Sequence, residues 1–211
     1  MPDTVAPEFL RFVASERRAN RLPPRPGRMA AGEVAHSISI EHGQASVLLR
    51  VAARRAVGLF RPTKRTEVVW VNGDSELAIN LTDIHLELET GLILVRIPVR
   101  CDQTGNAIVE VPFAVGSADE PAGLYSSTLR RPNGPPLIVA AWSEALVAFA
   151  WQCLLGMVSG IAGATGKDAR GNVLVPVELV ASRGVLQIVP MARHRFAGST
   201  GLTRARPSPP R

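Results

Sequence analysis

From Ile84 the chain alternates apolar and polar residues with a period of two. Ile84, Leu86 and Leu88 hold one set of places in IHLELE, and after Thr90-Gly91 the stretch ILVRIPV continues with Val95, Ile97 and Val99. A period of two is that of a strand with one buried face. DQTGN at 102–106 turns the chain again into IVEVPFAV, where Val109, Val111 and Phe113 carry the alternation on. Upstream, EVVWV at 67–71 and ELAINL at 76–81 flank Asn72-Gly73, residues that readily take the positive φ of a tight hairpin turn. The pattern predicts an antiparallel meander with those nine alternating residues facing inward.

Other segments are less regular. SISI at 37–40 and SVLLRVA at 46–52 flank His42-Gly43-Gln44 as a hairpin would, yet QASVLLRVAARRAV also reads as a helix, and the pattern leaves both open. Two proline-bearing hairpins echo each other. RIPVRCDQTGNAIVEVPFA places Pro98 and Pro112 fourteen apart, and LVPVELVASRGVLQIVPMA does the same with Pro176 and Pro190. Proline in a sheet favours edges and bulges, so these sites suggest matching edges, although the turns, at Gly105 and Gly184, fall one place out of step. Pro7 to Asn20 is expected to form an amphipathic helix with Phe9, Leu10, Phe12 and Val13 on one side. The segment LPPRPGR at 22–28 cannot continue it, which makes that helix an expected arm. AGSTGLTRARPSPPR from Ala197 has no apolar period and is expected to be a disordered basic tail.

The most apolar stretch is Leu137 to Ala162, in which Glu144 is the only charge. It passes the length test for a membrane helix, and Gly156 and Gly160 are spaced as in close-packed helix pairs. Its punctuation divides it. Pro135-Pro136 leads into a short strand over Leu137 to Ala141, and Ser143 with Glu144 suits a helix start, giving a helix of about 143–159 closed by Gly160. Along that helix Glu144, Gln152 and Ser159 share a narrow polar seam with Ala148 and Leu155, while Trp142, Leu146, Phe149, Cys153 and Met157 line another face. A core helix is the expectation, with a membrane segment or an oligomer seam as its rivals.

Charge changes the picture by its layout. The formal net charge is +6, with only two lysines, Lys64 and Lys167. Residues 42–66 carry Arg50, Arg54, Arg55, Arg61, Lys64 and Arg65 without an acid, 67–120 are acidic, and the remainder is again basic. The basic segment suits phosphate contacts or a partner of complementary charge. Stacking aromatics do not alternate with it, though nonspecific phosphate contacts need none.

Catalytic and metal signatures are wanting. The four histidines are scattered, Cys101 and Cys153 stand alone as two reduced thiols, and no serine lies in GxSxG. GIAGATGKDARG at 160–171 departs from a phosphate loop at Ile161 and Asp168 and follows a helix where the motif needs a strand. Asp83, His85 and Glu87 share one strand face, where an acid-base or metal site would be possible in principle but a solvated face is the simpler reading. No cofactor is expected. The N-terminal segment lacks the apolar core of a secretory signal, so cytoplasmic residence is the expectation.

These readings converge on an α+β fold: a mainly antiparallel sheet or partly closed barrel with one long apolar helix packed on it. Residues 1–28 form the arm and linker, 29–196 a single domain and 197–211 the tail. The expected function is that of a non-enzymatic binding or assembly protein, engaging a protein partner or further copies of itself through the arm and tail. Nonspecific nucleic-acid binding through residues 50–65 is the first rival, and an enzyme with a site near Asp83, His85 and Glu87 the second. Membrane attachment is not expected.

Overall fold

The alternating segments form the middle of an antiparallel sheet. The structure, a computed structural model, describes residues 5–19, 37–60, 66–116, 125–126, 131–166 and 174–192. The elements are α1 (Pro7–Arg18), β1 (Ile38–Glu41), α2 (His42–Ala56), β2 (Glu67–Asn72), β3 (Ser75–Asn80), β4 (His85–Glu89), β5 (Leu92–Cys101), β6 (Gly105–Ala114), β7 (Tyr125–Ser126), α3 (Pro136–Thr165), β8 (Leu174–Ser182) and β9 (Val185–Ala192). One sheet has the order β2-β3-β5-β6-β7, with β4 beside β5, and a second has the order β1-β9-β8. All nine residues expected to face inward are buried. The class is therefore α+β, and among the described residues the sheets do not close into a barrel.

β5 is long because it serves two neighbours in turn. Its first half pairs with β4, from Leu92↔Glu89 to Arg96↔His85, and its far end pairs with β3 at Val99↔Ile79 and Arg100↔Ala78. Pro98, which has no amide to donate, sits at the handover. The two sheets are stitched where Gly116 donates to the Leu179 carbonyl (3.1 Å) and accepts from the Ala181 amide (2.9 Å). The sequence echo between the two hairpins does not extend to their register. Pro176 lies directly opposite Pro190, whereas Pro98 faces Ile108 and Pro112 faces Leu94. Pro98 and Pro112 also lie in interior strands, not at matching edges.

Three local expectations are corrected. β1 pairs with β9, Ile38 opposite Ile188, and the segment after it is helix α2, so no hairpin forms there. The helical stripe of Ala45, Leu48, Leu49, Ala52 and Ala53 is fully buried, which explains the choice. The stretch Leu137–Ala141 is not a strand but the start of α3, one continuous helix of 30 residues that runs past the expected 143–159 at both ends. Proline at the first helical position has its φ already set for a helix, and Ile138 lies one turn before Trp142 on the same buried stripe. Ser143 is thus internal, and the helix ends at Gly166 with φ 115°.

The third correction concerns α1. The helix expected to project as an arm lies on α3, with Phe9, Phe12 and Val13 buried and the Arg17 guanidinium donating to the Thr165 carbonyl. Gly160, expected to cap α3, instead makes room for this docking: a Cβ there would stand 2.6 Å from the Phe9 ring. Gly156 faces Ala52 of α2, so the glycine pair packs helices of the same chain. Trp70 of β2 lies edge-on to Phe149 (5.4 Å between centroids) and tilted against Trp142, while Phe113 meets Trp151. α3 is long and apolar enough to cross a membrane by length and composition, yet half of its most apolar window is buried within the protein, as in a core helix.

Candidate functional site

The face carrying Asp83, His85 and Glu87 is built by the β3–β4 turn and by β4 across from β5. Asp83 accepts from Asn80 Nδ2 (2.7 Å), and Asn80 Oδ1 in turn accepts from the amide and hydroxyl of Thr82, so these groups fix a turn. His85 Nδ1 lies 2.9 Å from the Asp83 carbonyl oxygen and donates to it when that nitrogen carries the proton. Glu87 is tied to Arg96 at 2.7 Å, and Arg96 also holds Glu110 at 2.7 Å. The three residues share a side of the chain but do not converge. A shallow depression of about 550 Å³ includes Asp83 beside Glu67, Arg100 and Ile108, and neither His85 nor Glu87 lines it.

Of the basic set, Arg50, Arg54 and Arg55 are half-buried on α2, and Arg61, Lys64 and Arg65 lie outside the described residues. Arg50 donates to the Ile84 carbonyl at 3.4 Å, and the Arg55 guanidinium stands over the Phe60 ring at 5.4 Å. These side chains lie along their own protein surface, a use of arginine that needs no phosphate.

The seam on α3 is open. Glu144, Gln152 and Ser159 are all exposed, and with Leu137, Ala141, Ala148 and Leu155 they form one outward row along the helix. Glu144 is its only charge. At the N-terminal end of this row a cleft of about 320 Å³ is lined by Asp74, Glu76, Cys101, Asp102, Leu137 and Trp142 among others. Cys101 lies on its wall, with its sulfur 3.3 Å from Thr104 Oγ1, and that hydrogen bond is the largest cause holding the thiol below its ordinary pKa. Cys153 is buried in α3, and burial pushes its thiol up. Among the described residues no group of three or more metal-binding side chains comes together.

Alternation alone did not reveal one feature, the character of β2. It was legible as a strand, but that it forms an edge with Val69 and Val71 turned to solvent depends on which strand pairs with which. No family model, curated protein or solved structure matches the chain.

Proposed function

We propose that this chain is a non-enzymatic binding or assembly protein acting through protein–protein contacts. One observation carries the reading: the outward row of α3, from Leu137 to Ser159, exposes apolar and small side chains with Glu144 as its only charge. Asp83, Glu87, Arg96 and Glu110, by contrast, are engaged in a turn and ion pairs of their own sheet. A helix face left nearly uncharged in water is the kind of surface that partners cover. The occupant on this reading is a protein, because the row is one helix face wide and is broken by Glu144, Gln152 and Ser159, which a bilayer would not accommodate cheaply.

Ala148→Arg tests it by placing a solvated charge at the middle of the row without touching the core. Proteins retained by the full chain on an affinity support are expected to bind the variant at least about tenfold more weakly, a change of about 1.4 kcal/mol, with the circular dichroism spectrum unchanged. Undiminished retention by the folded variant would overturn the reading.

A further inference from the structure

We infer that the occupant of the outward row of α3 is a second copy of this chain, the two helices packing antiparallel about a two-fold axis at Ala148. The inference rests on the reading above and names its partner. The row is a palindrome in its spacing. From Ala148 the outward positions are reached in steps of four, three and four residues in either direction, to Gln152, Leu155 and Ser159 one way and to Glu144, Ala141 and Leu137 the other. All of these are exposed, Leu137 at 58% and Leu155 at 37%. Steps of four, three and four average about 3.67 residues per turn, close to the 3.6 of a straight helix, so the row stays on one side of α3 for about 33 Å.

A two-fold axis through this spacing sets every outward residue against another of the row. Ala148 meets itself, Glu144 meets Gln152 of the second copy, Ala141 meets Leu155 and Leu137 meets Ser159. Bulk is thereby matched: each leucine stands against a small side chain, and alanine at the centre lets the two backbones approach. Polarity is matched as well, because the Gln152 amide of each copy is placed to donate to the Glu144 carboxylate of the other. A parallel pair would instead set Glu144 against Glu144.

The surroundings of the row agree with that direction. Exposed Asp74, Glu76 and Asp102 line the cleft at its Leu137 end, whereas α1, whose exposed charges are Arg11 and Arg18, docks beside Gly160 at the other end. Antiparallel packing brings the acidic end of each copy to the basic end of its neighbour.

Sedimentation velocity of the full chain tests this. The concentration series runs into the high micromolar range, because one helix face is smaller than the about 800 Å² per partner of a standard interface. The unaltered protein is expected to dimerise. Gln152→Glu, which sets carboxylates opposite one another twice per dimer, is expected to move the midpoint about fivefold higher in concentration, and Gln152→Arg, which gives each Glu144 a cation, about fivefold lower. Both substitutions would weaken a parallel pair. Ala148→Cys in a Cys101→Ser background is expected to form a covalent dimer on oxidation, since helices packed 8–10 Å apart bring facing Cα atoms to about 5 Å, within disulfide reach. Where association is too weak to sediment, the cross-link decides. A chain that neither dimerises nor cross-links overturns the proposal, as does a dimer on which the two Gln152 substitutions act in the same direction or not at all. If Ala148→Arg nonetheless sheds the proteins retained by the full chain, the row takes a different protein and the reading of protein contacts stands; if it sheds none, that reading falls too.

Discussion

Cys101 and Cys153 have the same side chain and opposite chemistry, for reasons that lie within a few ångströms of each sulfur. Thr104 lends Cys101 a hydrogen bond that favours the thiolate, while the apolar packing around Cys153 disfavours any charge. One thiol is therefore expected to react with an alkylating reagent in the native protein and two after denaturation. The pH midpoint for Cys101 should lie below the ordinary thiol value and rise in Thr104→Val; equal reactivity of both thiols in the native state would contradict the placement of Cys153. The raised pKa of Cys153 also has a sign. The folded state holds that proton more tightly than the unfolded chain, so its contribution is intact below the ordinary thiol pKa and is lost as pH rises above it. At this scale the sequence was highly informative, because alternation alone assigned Ile84, Leu86 and Leu88 and their partners on β5 and β6 to the inner face, and all are buried. It was silent on Thr104 and Cys101, whose contact depends on how the β5–β6 turn closes.

At the scale of elements, local punctuation misled where distant packing decides. Pro135-Pro136 and Ser143 argued for a strand and then a helix, but the side chains from Ile138 to Thr165 bury along one continuous helix, and burial over that length outweighs a single favourable cap. β1 was legible as a strand, yet its partner lies about 150 positions away, beyond the reach of any hairpin rule. α1 was legible as amphipathic, and what it docks on was not, since nothing nearby in sequence shows that Gly160 opens a place for Phe9. The docked helix makes a quantitative prediction. Phe9→Ala is expected to lower unfolding stability by about 3–5 kcal/mol in urea titrations, the range for a large buried aromatic. A loss under about 0.5 kcal/mol, typical of a surface site, would mean that α1 projects from the fold after all.

For the whole molecule, chemistry and open surface are distributed unequally. Within the large sheet Glu87, Arg96 and Glu110 hold one another, and exposed pairs of this kind contribute little, about 0–1 kcal/mol each. Among the described residues the outward row of α3 is one surface without such ties, and it is there that the proposed function places another protein. Fold class and the central meander were within reach of sequence patterning, whereas the pairing of β1 with β9 and the place of β2 at the end of the strand order appear only in the structure. The most direct measurement compares the proteins retained by the full chain with those retained by its Ala148→Arg variant. The account predicts retention at least about tenfold weaker on the folded variant. Undiminished retention on the folded variant would contradict binding through the outward row of α3.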